Sequence, residues 1–244
     1  MIKFFRKIRQ NLIMDKQPTV QVGKTGNYFK YAIGEIVLVV IGILIALSIN
    51  NWNEARKATI FEDEILNLID QNLEIDSISI SKELYKTKQA IELTDRLLQK
   101  VSQKEYGDSL NNWMGKIISF ERFKSQSSAF EVLKARGIEA ISNKELQIKL
   151  ISYNDESLYK LYESLGDVNV SFKADWVPVI KTDFSDFKWK EYCIPTDPKA
   201  FFEKPSSIIL FKIYKDNRSG QVGNMESALA KLSEIRTLIK EDFK

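Results

Sequence analysis

The 244-residue chain has no histidine, one cysteine, five prolines and ten glycines. Without histidine, the usual general base near neutral pH is missing, and ordinary catalytic triads and histidine-containing zinc sites are excluded. One cysteine rules out an internal disulfide framework and a cysteine-only zinc site. Cys193, in EYCIPTDP, has no imidazole to activate it as a nucleophile and reads as a small buried residue. Exposed in an oxidising compartment, the same thiol could bridge two chains.

Phosphate-binding loops are missing as well. Gly23-Lys24-Thr25 has the ending of one, but the position five residues before Gly23 is Pro18, and no apolar strand precedes it. Ser157-x-x-Lys160 and Lys24-Thr25-Gly26 stand in the wrong order for a penicillin-binding arrangement, and no Ser-Asp-Asn accompanies them. Acids cluster at Glu62-Asp63-Glu64 and at Asp183 with Asp186, without the glycine-punctuated spacing of a calcium loop. These runs read as solvated faces. No catalytic, metal-binding or cofactor-binding residue is expected.

What is present is an asymmetry of charge. Residues 1–31 carry seven bases (Lys3, Arg6, Lys7, Arg9, Lys16, Lys24 and Lys30) against one acid, Asp15. The net charge of +3 therefore belongs to the head of the chain, and the remainder is close to neutral. A near-neutral body argues against nucleic acid as a partner, whereas a basic head suits anionic lipid headgroups.

Residues 32–49, AIGEIVLVVIGILIALSI, hold a single charge, Glu35, in eighteen positions. At helical rise this stretch covers roughly 27 Å, enough for the hydrocarbon core of a bilayer. Tyr28, Phe29 and Tyr31 precede it and Asn50, Asn51, Trp52 and Asn53 follow, so Tyr31 and Trp52 are expected as interfacial anchors. A buried core helix would carry a less biased flank. A cleaved signal peptide would be shorter, lie nearer the start and end in small residues, not in INNWNEA. A transmembrane helix over residues 28–53 is predicted. The basic excess before it places the N-terminus in the cytoplasm and residues from 54 onward outside.

Ahead of the span, residues 1–14 are predicted to form an interfacial basic helix. Met1, Phe5, Ile8 and Leu12 make its apolar stripe, and Lys3, Arg6, Lys7 and Arg9 contact lipid headgroups. Residues 15–27, with Pro18, Gly23 and Gly26, read as a linker. Within the span, Glu35, Gly42, Ala46, Ile49 and Asn53 share one helical face, and Gly42-x-x-x-Ala46 would let two helices approach closely. That face is the candidate transmembrane interface, for a second copy or a membrane-protein partner. Three readings of Glu35 stay open: snorkelling to the inner headgroups, accepting a hydrogen bond at the interface, or responding to protons in an energy-coupled complex.

MIKFFRKIRQNLI followed by YAIGEIVLVVIGILIALSINNWNE resembles an uncharacterised family of single-span membrane proteins common in bacteroidete bacteria, a domain-of-unknown-function group. The likeness is close over residues 1–54 and looser through SAFEVLKARGIEAISNKELQIKLISYN at 128–154. It implies a Gram-negative inner membrane and a helical periplasmic domain, and it carries no activity and no catalytic residues. It also implies that Asp76-Ser77-Ile78 and Asp108-Ser109-Leu110 match the short O-glycosylation sequon of those bacteria.

Beyond the span the pattern is helical. Residues 54–101 contain neither Gly nor Pro, which favours one long helix. Leu66, Leu73, Ile80, Leu84, Ile91, Leu98 and Val101, with Thr87 and Thr94, form a heptad-like stripe, broadened by Ile65, Ile69, Ile75 and Ile78. Packing on the chain's own later helices is favoured, with a coiled coil between chains as the alternative. After a turn at Tyr106-Gly107-Asp108, a helix is predicted over 109–122. Ser128-x-x-Glu131 and Ser142-x-x-Glu145 read as capping boxes, Gly137 as a helix C-cap, and the second box opens a helix to Leu165 before Gly166. Residues 168–180 fit strand or helical spacing, and helix is preferred for want of a partner strand. Residues 181–206 read as loop, followed by separate helices over 208–214 and 225–242.

The predicted fold is all-α, with a periplasmic helical bundle over 54–244. The predicted function is a membrane-anchored interaction or scaffold protein; the alternative is an accessory subunit of a membrane complex using Glu35 as a proton-responsive residue.

Overall fold

A computed structural model describes the backbone of residues 24–242 and the side chains of residues 32–242. The interfacial helix expected over 1–14, with Lys3, Arg6, Lys7 and Arg9, lies outside the described residues, as do most of the expected linker and the Tyr31 side chain. The last four residues of that linker, 24–27, are already helical. The chain forms two compact units, through Lys57 and from Ala58.

Helix α1 is Lys24–Ser102. In the first unit it holds the apolar segment, and an eighteen-residue window there has a mean hydropathy of 2.8, none of it buried inside the chain. By length and composition it can cross a membrane.

In the second unit α1 is followed by α2 (Ser109–Ile118), α3 (Ser128–Arg136), α4 (Lys144–Ile151), α5 (Leu158–Ser171) and α6 (Val177–Asp183). A hairpin of β1 (Phe184–Lys188) and β2 (Tyr192–Pro195) comes next, then α7 (Pro198–Glu203) and α8 (Pro205–Asp242). The architecture is all-α apart from that two-stranded sheet.

Two heptad seams organise the bundle. On α1 the buried positions are Leu66, Leu73, Ile80, Thr87, Thr94 and Val101 in one row, with Ile69, Asp76, Glu83, Ala90 and Leu97 in the other. The three-four alternation of the predicted stripe is present, but its second row is not the predicted one: Leu84, Ile91 and Leu98 are half-buried, and Ile75 and Ile78 are exposed. On α8 the buried set Phe211, Tyr214, Arg218, Gln221, Met225, Ala228, Leu232, Ile235 and Ile239 keeps the same spacing. Ion pairs Asp95–Lys215, Lys88–Glu226 and Asp70–Arg236 join the helices in antiparallel order. The α1 seam in this unit is thus covered by the chain's own helices.

The core is in two parts. One lies around Leu66, Leu73, Leu133, Leu150 and Ile235, the other around Leu97, Ile117, Trp176, Phe202 and Phe211.

Several boundaries differ from expectation. Ser127 and not Ser128 holds the N-cap position of α3, without a capping side-chain hydrogen bond; the Ser128 hydroxyl accepts from the Asn72 amide at 3.3 Å. Helix α4 is capped by the Asn143 side chain, which accepts from Leu146 N–H, while Ser142 N–H and hydroxyl both donate to Glu62. Neither capping box forms, because each serine is held by long-range contacts with α1. Gly137 does close α3, its N–H on the Leu133 carbonyl at 2.9 Å and its φ of 111° in a region that side-chain-bearing residues avoid.

The predicted stop before Gly166 is absent. Helical structure runs on through α5, and wider five-residue turns at Ser152–Ser157 and Phe172–Trp176 insert an extra residue before α5 and after it. Gly220 and Gly223 likewise do not break α8, which is one helix where two were expected. Isolated glycines cost a helix only about 1 kcal/mol each, less than the packing of this seam returns.

Residues 184–195, read as loop, form the hairpin, with Phe187 opposite Cys193 and Lys188 opposite Tyr192. It packs on α2 at Gly115, where an added Cβ would lie 2.7 Å from the Glu191 carbonyl oxygen and closer still to backbone atoms. Gly115→Ala must therefore push the hairpin off α2. An unfolding free energy lower by about 1–3 kcal/mol is expected in urea titrations; a variant as stable as the parent would show that the contact yields freely.

Candidate functional site

The residues proposed from sequence for the transmembrane interface, Glu35, Gly42, Ala46, Ile49 and Asn53, lie on α1 in the first unit and are all exposed. Their helical spacing places them on one face, and nothing lies within 4 Å of a Cβ built at Gly42. Trp52 is 66% exposed.

The second unit holds polar chemistry that the sequence stripe concealed. Where the two parts of the core meet, a buried polar layer crosses the bundle. From α1 come Glu83 and Thr87, and from α8 come Tyr214, Arg218 and Gln221. Arg218 is 1% exposed and Glu83 3%. The guanidinium donates to the Ser119 carbonyl and, at 3.5 Å, to the Thr87 hydroxyl, and it lies 5.2 Å from the Tyr214 ring centre. Tyr214 donates to the Ile118 carbonyl at 2.8 Å, and Gln221 to the Ser164 carbonyl at 3.1 Å.

Carbonyls 118 and 119 end α2 and would otherwise be left without donors. Arg218 and Tyr214 supply them, so the layer fixes where α2 stops. Both Glu83 oxygens lack a hydrogen-bond partner. Burial raises the Glu83 pKa above its ordinary value, while the nearby positive charge of Arg218 opposes that rise.

A second carboxylate anchors the irregular segment between α2 and α3. The Ser125 hydroxyl donates to Asp76, and Gln126 N–H and the Tyr153 hydroxyl reach the same carboxylate at 2.9 and 3.3 Å. Ser125 N–H donates to the Tyr162 hydroxyl at 2.9 Å. Tyr153 stands on the first wide helical turn, which turns it toward α1. Burial raises the Asp76 pKa, and its three hydrogen bonds offset part of the shift. With Asp76 buried and Ser77 half-buried in mid-helix, the first glycosylation sequon has a poor surface; Asp108 and Ser109 of the second are exposed.

The third feature is an open cleft of about 450 Å³, where the 119–123 segment, the second wide turn and the hairpin tip converge. Phe120, Phe172 and Trp189 line it, with edge-to-face ring separations of 4.9 to 5.7 Å. Lys190, left-handed at φ 68°, carries the hairpin over so that its ammonium meets Glu121 at 2.8 Å, and Lys86 meets the same carboxylate oxygen. The two lysines hold the Glu121 carboxyl down at about 2. Exposed Arg122 and Lys173 form no ion pair among the described residues. Asn169 lines the cleft with its Oδ1 buried and unpartnered.

Of the other sequence candidates, Cys193 is buried with its thiol pushed up to about 12 by burial, far from a nucleophile. Asp183 pairs with Lys204 and Asp186 accepts from Tyr192, so those acids are structural. Among the described residues no group of three His, Cys, Asp or Glu side chains could hold a metal ion.

The titrations predict an unusual pH profile. For Asp76 and Glu83 the folded pKa lies above the ordinary 3.8 and 4.5, so their stabilising contribution is full below those values and lost as pH rises through the raised ones. Glu121 acts in reverse: its contribution is present above 4.5 and lost as pH falls toward about 2. The melting temperature should therefore rise on acidification from neutral pH toward the ordinary carboxylate range and fall below 4.5 as Glu121 loses its charge. Asp76→Asn with Glu83→Gln should flatten the rise; thermal melts that decline steadily from neutral pH would contradict this account.

Comparison with known proteins agrees with the sequence resemblance and adds no activity. No curated protein and no solved structure matches the chain. The profile of a family of unknown function, DUF6090, covers residues 35–169, which takes in Glu35, the whole α1 seam, Asp76, Glu83 and the 119–127 segment. The chain belongs to that family.

Proposed function

We propose that this protein is a single-span, membrane-anchored interaction protein. Its N-terminus is cytoplasmic, residues 28–53 cross the inner membrane, and the helical domain from residue 54 works in the periplasm. The observation that carries this reading is the apolar window of α1, of which nothing is buried inside the chain. Side chains of that kind left in water would cost about 25 cal/mol per Å² of apolar surface, and a bilayer removes the whole cost. The basic residues before the window favour the stated orientation.

An interaction role is favoured over catalysis because the buried Asp76 and Arg218 are spent on internal contacts. Asp76 holds the 119–127 segment and Arg218 closes α2. The polar groups lining the cleft suit binding.

Cysteine labelling in spheroplasts tests the topology. Native Cys193 is buried and should stay silent. Lys100→Cys, an exposed position on α1, should react with a membrane-impermeant maleimide, whereas Lys16→Cys should react only after lysis. Labelling of both positions, or of Lys16→Cys alone, in intact spheroplasts would refute the orientation.

A further inference from the structure

We propose that the cleft lined by Phe120, Phe172 and Trp189 is a binding site for an acidic sugar, a pyranose-type ring bearing a carboxylate. At about 450 Å³ it falls in the range of small-molecule sites, and it is built wholly within the second unit. Three chemical demands converge on this ligand class.

The first is charge. Glu121 is already shared by two lysines, so Arg122 and Lys173 are left without carboxylates among the described residues. An arginine and a lysine beside a cleft favour a ligand carboxylate, to which the guanidinium can donate in a two-point fork. The second is a hydrogen bond. Asn169 lines the cleft, and its unpartnered Oδ1, shielded from solvent as it stands, gains a donor when the side chain turns toward the ligand; leaving it unmet costs about 1–3 kcal/mol. An ammonium donor would be repelled by the same cations, so the donor is a neutral hydroxyl or amide N–H. The third is an apolar body. Phe120, Phe172 and Trp189 offer aromatic surface, which a sugar's C–H face or another ring would cover. A carboxylate, neutral hydroxyl donors and an apolar face on one small ring describe an acidic sugar.

The local backbone is shaped for this. A wide helical turn at Phe172–Trp176 and a left-handed Lys190 both depart from the cheapest conformation, and they place Phe172 and Trp189 against each other at the cleft wall. This inference does not depend on the membrane reading, because neither the cleft nor its test involves the span.

The test uses the full chain in detergent, with glucuronate as probe and the indole N–H signal of Trp189 as readout, assigned by Trp189→Phe. Saturable shifts with glucuronate are expected, with glucose and glucosamine weaker by roughly tenfold or more. Arg122→Glu with Lys173→Glu, both at exposed positions, should abolish the shifts while the circular dichroism spectrum is retained. Asn169→Leu should weaken glucuronate and spare benzoate. No saturation by about 50 mM glucuronate, equal affinity for glucose, or indifference to the charge reversal would overturn the site. Benzoate binding as tightly as glucuronate would overturn the sugar assignment.

Discussion

Replacing Arg218 by methionine should lower the unfolding free energy by about 3–5 kcal/mol, the usual cost of removing one partner from a buried charge group. Methionine fills much of the volume, so the loss is electrostatic. The Ser119 carbonyl loses its charged donor, and Glu83 is left buried without the cation that most opposes its desolvation. Glu83 can relieve itself only by taking up a proton, so the variant should recover stability toward acid more steeply than the parent. Adding Glu83→Met should restore much of the loss, since two apolar residues of similar size then replace two buried opposite charges at little or no cost. Urea titrations of the parent, both single variants and the double variant form a complete cycle. A coupling smaller than about 0.5 kcal/mol would show that Glu83 and Arg218 do not act as a unit.

Two arginines in the apolar window should prevent stable membrane insertion. At the centre of a spanning helix each arginine costs about 2.5–3.5 kcal/mol, and the displaced isoleucine or leucine gives up about 0.3–0.6 more. Ile41→Arg with Leu44→Arg therefore carries a penalty of about 6–8 kcal/mol, more than snorkelling can offset near the midplane. In cell fractionation the parent should remain in alkaline-carbonate-washed membranes, and the double variant should leave them for the soluble or aggregated fraction. Ile41→Leu with Leu44→Ile is the matching control and should behave as the parent. Retention of the arginine variant in washed membranes would remove the spanning role from this segment.

The two predictions separate what was legible from what was not. The long apolar helix could be read directly, because eighteen nearly uncharged positions need no knowledge of a partner to be recognised. Long-helix character over 54–101 was equally local, resting on the lack of Gly and Pro and on a three-four period. The hairpin escaped because its strands are short and hold together by packing on Gly115 and through the aromatic group at its tip. The capping boxes failed for a related reason: Ser128 and Ser142 are engaged by Asn72 and Glu62 from α1, and so the caps moved to their neighbours.

The candidate sites were the least readable part. Asp76 and Glu83 sit on the heptad period, yet a stripe counted by hydrophobicity passes over carboxylates, and α8 was divided between 214 and 225 so that Arg218 and Gln221 fell between two expected helices. A signal was available in the spacing, since Asp76 and Glu83 continue the Ile69 row that Ala90 and Leu97 complete.

By itself the sequence determined a basic head, an apolar segment of membrane length and an almost wholly helical body, because propensity, period and charge act within a few turns of chain. Only the tertiary structure decided which polar residues would be buried, where helices would stop, and that Phe120, Asn169 and Trp189 would share a cleft. Those outcomes depend on groups brought together from dozens of residues away, each meeting a desolvation cost that a distant partner either offsets or leaves standing.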